Sequence, residues 1–443
     1  MAIFDKLMTF VENVVSPIAG QVSAQRHINA IKDGFVATMP FLIVGSLLLV
    51  LAFPPTTENS NLFLDGWASL VEMIGMGNIL APFQISMGIF ALYASFSIGF
   101  SLAESYGLRA LNSGLLSMYT FLLAVAPVQF IEMGGIMPIA YMGGTGAFTA
   151  ILAGLLTPEL QRFLRDKNIR LKLPEAVPPK ISASFDLLIP VALIAAIVVS
   201  INVFLAQYDL NLPSAIMELF KPLVSASDSF FACLIAVIVI QLLWFAGIHG
   251  SSVVVTGILY PIFMINLGLN QEALATGAEL PKIFVNPLLD FFIFVGGAGG
   301  TWGFVVLMMR SKAAHLRTIG KMSIIPGTFN INEPVIFGTP IVMNVNYFIP
   351  WMLSPIVNTC IVWLAFKTEI VSKIVALPPW TMPAPIGAII ATNSSTAAFV
   401  VALCVLVSVV IYYPFFKMHE NQLLAEQQGE EETTIATGKP VKA

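Results

Sequence analysis

Charge is what this sequence has least of. Only 10% of its 443 residues are Asp, Glu, Lys or Arg, while 57% are hydrophobic. A soluble globular chain carries about 25% charged residues, so the shortage excludes a water-soluble globule and implies a polytopic membrane protein. Cysteine is scarce as well. Cys233, Cys360 and Cys404 lie in apolar runs without CxxC spacing, so they read as buried free thiols rather than disulfides or metal ligands. The four histidines, His27, His249, His315 and His419, are scattered and offer no metal-ligand spacing; no metal and no cofactor is expected. There is no GxxxxGK[ST], because the glycines of 296–300 lead into Thr301 and Trp302 without a lysine, and this excludes ATP binding through a P-loop. No span is arginine-rich as a voltage sensor would be, and nothing suggests nucleic-acid binding. The N-terminus lacks the short apolar core and small-residue cleavage site of a secretory signal.

Long apolar runs are what the sequence does have. Spanning a bilayer takes about 20 apolar residues, and ten runs qualify, near 30–53, 79–103, 110–130, 138–160, 183–205, 229–248, 251–269, 298–310, 346–366 and 396–416. Residues 3–18 place Ile3, Phe4, Leu7, Met8 and Val11 on one stripe, which predicts an amphipathic helix at the membrane interface within residues 1–20. With both termini on the cytoplasmic side, 17 of the 21 Lys and Arg residues fall in inner segments and four, Lys221, Lys282, Lys367 and Lys373, in outer ones. That asymmetry obeys the positive-inside rule. The most basic stretch, 162–182, reads as a cytoplasmic linker and topology anchor, or additionally as a docking surface for an acidic partner. It joins an N-terminal transmembrane half, 21–209, to a C-terminal half, 210–417. Residues 418–443 form a polar tail expected to be disordered at its end.

Three apolar stretches are broken by Gly, Pro and polar residues: Lys282–Gly303, Thr328–Pro340 ("TFNINEPVIFGTP") and Leu377–Ala398. Irregular backbone at membrane depth survives only where protein or a watery cavity satisfies it, and such interruptions point to a transporter's binding site. All three lie in the C-terminal half, as does "LLWFAGIHGSS", Leu242–Ser252. Glu333 is the one carboxylate of its stretch. It either caps a half-helix or pairs with a buried base, or it faces a cavity and acts on a ligand. Asn330 and Asn332 beside it offer amide donors and acceptors suited to hydroxyl groups. His249, between Gly247 and Gly250, is a satisfied core histidine or a site residue. Trp244 precedes it by five residues, an offset that stacks the two rings only if the helix breaks at Gly247. Trp244 and Trp380 read as interfacial tryptophans or as sugar-stacking faces. Asp290 reads as a helix-end cap or a ligand.

The segments "LLWFAGIHG", "NPLLDFFIFVGGAGGTWG", "IPGTFNINEPVIFGTPIVMN" and "PWTMPAPIGA" resemble the enzyme IIC subunits of the bacterial phosphoenolpyruvate-dependent sugar phosphotransferase system, in the lactose/cellobiose/diacetylchitobiose group. "QRHINAIKDGFVATMP" and "KLPEAVPPKISASFDLLIP" extend the likeness across nearly the whole chain. The resemblance implies an all-α polytopic membrane protein of about ten transmembrane helices, with two re-entrant hairpins in the C-terminal half and a homodimer formed mainly by the first five spans. It implies a multi-pass permease of the bacterial inner membrane. Its substrate would be a β-linked disaccharide, diacetylchitobiose or cellobiose foremost, phosphorylated on a 6-hydroxyl by a phosphocysteine of the partner IIB, with IIA upstream. By motif, Glu333 would face that hydroxyl with His249 nearby as the catalytic pair. Trp244 and Trp380 would pack on the sugar rings and Asn330 or Asn332 would hydrogen-bond them, with Asp290 as a further candidate ligand. The 26-residue tail after Lys417 holds no cysteine, so IIB is expected on a separate chain, and this chain alone would carry sugar without phosphorylating it. Two other functions fit the same residues: a proton-coupled disaccharide symporter using Glu333 and His249, and a membrane enzyme acting on lipid-linked sugar.

Overall fold

The computed structural model describes residues 24–53, 62–125, 129–131, 134–169, 171, 185–339, 341–342 and 344–437, with isolated residues at 9, 17 and 21. The expected amphipathic helix, most of the 170–184 linker and Pro340 lie outside the described residues. The N-terminal region is a set of helices: α1 (Arg26–Ala52), α2 (Leu62–Ile74), α3 (Met76–Ser86), α4 (Phe90–Ser105), α5 (Ala110–Val125), α6 (Ala147–Asp166) and α7 (Leu188–Ala206). Each is a run of apolar and small residues, and the small ones let the backbones approach. A Cβ at Gly34 of α1 would lie 2.8 Å from the backbone nitrogen of Ile98 in α4, and one at Gly154 of α6 would lie 2.7 Å from the Ile98 Cβ. The expected span 110–130 stops at Val125. Beyond it a two-stranded antiparallel ribbon, β1 (Gln129–Ile131) and β2 (Gly134–Ile136), reverses the chain.

The C-terminal region contains α8 (Leu212–Ser227), α9 (Phe230–Phe245), α10 (Tyr260–Thr276), α11 (Trp302–Met309), α12 (Ala314–Thr328), α13 (Glu333–Gly338), α14 (Val345–Lys367), α15 (Ala384–Thr392) and α16 (Thr396–Thr437). Helices α8 and α9 meet at 73°, where Ser229 starts α9 by accepting the Ala232 N–H. A π-helical stretch, Ser252–Leu259, leads into α10. Among the described residues six helices are long and apolar enough to cross a membrane, or seven if the bent α8–α9 pair is one span. The expected run 298–310 is helical only over Trp302–Met309. The polar tail begins as a continuation of α16, which runs unbroken past Lys417 to Thr437.

Two of the three broken stretches are hairpins. The first descends as an extended limb from about residue 278, makes a π-helical turn at Leu289–Ile293, reverses through a glycine-rich tip at 294–301 and returns as α11. The second descends over 372–379, turns at 380–383 and returns as α15. Extended limbs inside an apolar fold leave peptide groups unmet, and side-chain amides of α10 meet them. Asn266 donates to the Phe284 carbonyl at 2.9 Å. Asn270 donates to the carbonyls of Lys282 and Ile374, both at 2.8 Å, and so ties the two hairpins together. Gln271 donates to the Val375 carbonyl at 2.9 Å. The Asp228 carboxylate accepts the N–H groups of Ile283 and Phe284 at 3.1 and 2.8 Å. The second hairpin is also tied to α1: Leu377 N–H donates to Ser46 Oγ at 3.0 Å, and Asn393 Nδ2 donates to the Phe53 carbonyl at 2.6 Å. One continuous apolar core, from Ala30 in α1 to Phe416 in α16, underlies both regions.

Candidate functional site

The site begins with the break after α9. Gly247 adopts φ +79°, in the left-handed region that glycine reaches without strain. The turn folds the chain back, so His249 meets Trp244 with ring centroids 4.3 Å apart and planes at 45°. In an unbroken helix of about 3.6 residues per turn, residues five apart lie on different faces. The break foreseen at Gly247 therefore does bring the pair together. Nδ1 of His249 accepts the Ser252 N–H at 3.1 Å and lies 2.9 Å from Ser252 Oγ. In the neutral ring this leaves the proton on Nε2 as a free donor. His249 is exposed, so it is not a buried core histidine.

The segment before α13 follows. Asn330 has a left-handed backbone, φ +61°, and a buried side chain. Its Oδ1 accepts the Gly296 N–H at 3.1 Å, and its Nδ2 donates to the carbonyls of Trp380 and Met382 at 2.8 and 3.1 Å. Asn332 Nδ2 donates to the Ala298 carbonyl at 2.6 Å and Thr301 Oγ1 at 3.0 Å. Close approach is required here, because a Cβ on Gly297 would collide with the Asn332 side chain. Both donors of each amide are thus taken up by the protein. Glu333 opens α13 as its first residue. Its carboxylate is exposed and, among the described residues, has no hydrogen-bond or ion-pair partner. Among the described residues it pairs with no base.

The sequence offers seven site candidates: Glu333, His249, Trp244, Asn330, Asn332, Trp380 and Asp290. All seven line one cavity of about 360 Å³, within the usual range for small-molecule sites of roughly 300–1,000 Å³. Trp380, at the second hairpin's tip, is 49% exposed. Asp290 sits in the first hairpin's π-helical turn and accepts a hydrogen bond from Asn286 Nδ2 at 3.1 Å. Local π-helical geometry recurs at functional sites because it re-aims side chains.

Sequence reasoning missed part of the wall. Val36, Met39 and Ile43 of α1 contribute to it from the N-terminal region, and Thr256, Tyr260 and Asn286 from the C-terminal one. Three buried polar atoms of this wall have no partner among the described residues: Trp244 Nε1, Tyr260 Oη and Asn286 Oδ1. Together they supply an N–H donor, a hydroxyl and an amide acceptor. Unmet buried groups cost about 1–3 kcal/mol each, so this wall suits a ligand dense in hydroxyls. Asn286 is legible in the sequence as the polar residue four before Asp290 in "VNPLLDFF"; Tyr260 gives no signal inside its apolar run. No cluster of three or more His, Cys, Asp or Glu side chains that could hold a metal occurs among the described residues.

Comparison with known proteins agrees with this architecture. Residues 32–355 match the family model described as "Phosphotransferase system, EIIC". The chain is 35% identical to the lichenan permease IIC component of Bacillus subtilis (strain 168), over 96% of each chain. It is 34% identical to the cellobiose-specific EIIC component of Geobacillus stearothermophilus, over 98% of each. Its fold superposes on the crystal structure of the transporter ChbC, the IIC component of an N,N'-diacetylchitobiose-specific phosphotransferase system, with a TM-score of 0.85 and 33% identity, covering 95% of this chain and 99% of that one. This chain belongs to the EIIC family of the phosphotransferase system and is a membrane-embedded sugar permease.

Proposed function

We propose that the cavity binds a β-linked disaccharide and presents its 6-hydroxyl for phosphorylation. The observation that carries this is the convergence of seven residues, from Trp244 to Trp380, on one cavity wall. Trp244 and Trp380 supply ring faces for the apolar faces of pyranosides. Asp290, the Oδ1 atom of Asn332, and the unpartnered atoms of Trp244, Tyr260 and Asn286 supply hydroxyl contacts. The sugars in the names of the similar permeases, lichenan, cellobiose and N,N'-diacetylchitobiose, all carry β linkages.

The reaction is a phosphoryl transfer. The sugar 6-oxygen attacks phosphorus, the S–P bond of a phosphocysteine on IIB breaks as the new O–P bond forms, and the cysteine leaves as thiolate. Glu333 accepts the hydroxyl hydrogen bond, orients the nucleophile and receives its proton; His249 Nε2–H donates to a neighbouring hydroxyl. Catalysis of this kind is mainly positioning and electrostatics, and an unpartnered carboxylate at an exposed wall suits both. The phosphorylated IIB is proposed to dock at Arg310–Lys321. Arg310, Lys312, Arg317 and Lys321 are all exposed, and none forms an ion pair among the described residues. Only residues 310–313 of the expected loop are non-helical: Arg317 and Lys321 lie in the first half of α12, which runs on toward Asn330–Glu333, so a donor docked on this basic helix end would lead toward the acid.

The finer membrane reading is likewise a proposal: ten spans with two re-entrant hairpins, both termini cytoplasmic in the bacterial inner membrane, and a homodimer through the N-terminal half. The 16-residue α5 and the charged-ended α6 fall short of a span by length or composition; counting both with the six long helices and the bent pair gives nine among the described residues. The deciding experiment supplies membranes holding this protein with labelled disaccharide, with and without phosphorylated IIB. Sugar phosphate formed only with IIB is expected. Accumulation of free sugar driven by a proton gradient would overturn this reading for the symporter. Competition among cellobiose, diacetylchitobiose, lactose and β-mannobiose on the purified protein fixes the substrate.

A further inference from the structure

We propose that Asn330 is a positioning residue: its amide bolts the tips of both hairpins to the segment carrying Glu333, and so sets the Trp380 ring relative to the Glu333 carboxylate. Its three hydrogen bonds all go to backbone groups, reaching Gly296 across 34 positions and Trp380 and Met382 across 50 and 52. These groups belong to the two tips, where the chain has left regular structure and needs outside partners. Asn is among the few non-glycine residues that tolerate the left-handed backbone this position adopts. The left-handed turn directs the side chain between the tips while Glu333, three residues on, begins α13. Asn332 repeats the device toward the first hairpin alone, through Ala298 and Thr301. At the opposite end of the hairpins Asn270 bridges Lys282 and Ile374, so the pair is pinned at both ends. With both donors engaged, the Asn330 amide acts on substrate through the residues it holds rather than by donating to it.

The test uses two variants of the full-length protein. Asn330→Asp keeps size and acceptor but removes both donors and sets a carboxylate against two carbonyls. Asn330→Gly keeps the left-handed backbone and removes all three bonds, and it remains informative if the Asp variant does not fold. The first readout is hydrogen–deuterium exchange without sugar. Exchange over 294–301 and 378–384 is expected to rise about tenfold or more in both, with α4 and α6 unchanged. Parental exchange at either tip overturns the bolt. The second readout rests on the permease reading: kcat with phosphorylated IIB, per sugar-binding protein, is expected to fall by up to roughly 10²-fold, more than KM rises. A parental kcat with loosened tips would overturn the positioning role. If the parent itself forms no sugar phosphate, the permease reading fails while the exchange result still decides the bolt.

Discussion

The helices α1 and α4 to α6 and the two hairpins are all rich in apolar residues, yet they satisfy their backbones in opposite ways. In the helices, polar side chains turn inward to their own chain: Thr38 donates to the Phe35 carbonyl, Ser95 to that of Leu92 and Ser105 to that of Leu102. Close contact between those helices is made by small residues such as Gly34 and Gly154, beside side-chain pairs such as Ser113 with Gln161. In the hairpins the backbone is irregular, and distant asparagines, a glutamine and an aspartate reach across to it. The lesson is that irregular backbone recruits amide side chains, and the same irregularity opens the cavity those side chains frame. Polar residues in the first region pair with their own helix or with side chains of neighbouring helices, as Thr120 does with Thr157 and His27 with Glu159, whereas in the second they reach across to irregular backbone.

That contrast can be broken at several points. The largest effect is expected at Glu333, which belongs to the hairpin region yet serves no structural bond. Glu333→Gln should lower IIB-dependent phosphorylation by about 10²–10⁴-fold and leave the unfolding temperature at the parental value. An undiminished rate in membranes supplied with phosphorylated IIB would remove the acid from the mechanism. Next is Trp380→Ala, expected to weaken disaccharide binding by about 1–3 kcal/mol, the scale of aromatic stacking on nucleic-acid bases. Leu403→Ala on an exposed face of α16 should leave binding unchanged. Equal dissociation constants for both variants would remove the stacking face. On the other side of the comparison, Gly34→Leu should destabilise α1 against α4 by about 1–3 kcal/mol through overpacking, read as a lower unfolding temperature. A parental melt would show that those helices do not depend on close approach. The smallest effect is expected from reversing Arg317 and Lys321 to Glu. Phosphorylation should need several-fold more IIB, with sugar binding intact, and the defect should shrink above about 0.1 M salt, where exposed charges are screened beyond roughly 10 Å. Rates unchanged across IIB concentration would leave this basic helix end as a topology determinant only.

Much of the site was legible because membrane proteins use polar residues sparingly. Glu333, His249, Asp290 and the two asparagines stood out against apolar neighbours, and all line the cavity. What the asparagines do there was not legible. A side-chain amide suits a hydroxyl and a peptide carbonyl equally well, and only the folded chain shows Asn330 against Trp380 and Met382. Tyr260 and the α1 residues Val36, Met39 and Ile43 escaped notice because one face of an apolar helix looks like any other until a neighbour leaves it uncovered. The span count was blurred for a related reason: hydropathy registers a run of apolar residues but not the 73° bend between α8 and α9.

By itself the sequence determined the class of solvent, the sidedness expected from Lys and Arg, and the chemical identity of the acid, imidazole and indoles, because these follow from composition and from the cost of charge in hydrocarbon. Only the tertiary structure decided which backbone breaks become hairpins, which amides hold them, and which aromatic faces meet the acid. Those choices depend on groups up to 340 positions apart, as in the Asn393 bond to the Phe53 carbonyl, and no local pattern encodes a partner that arrives only when the chain closes.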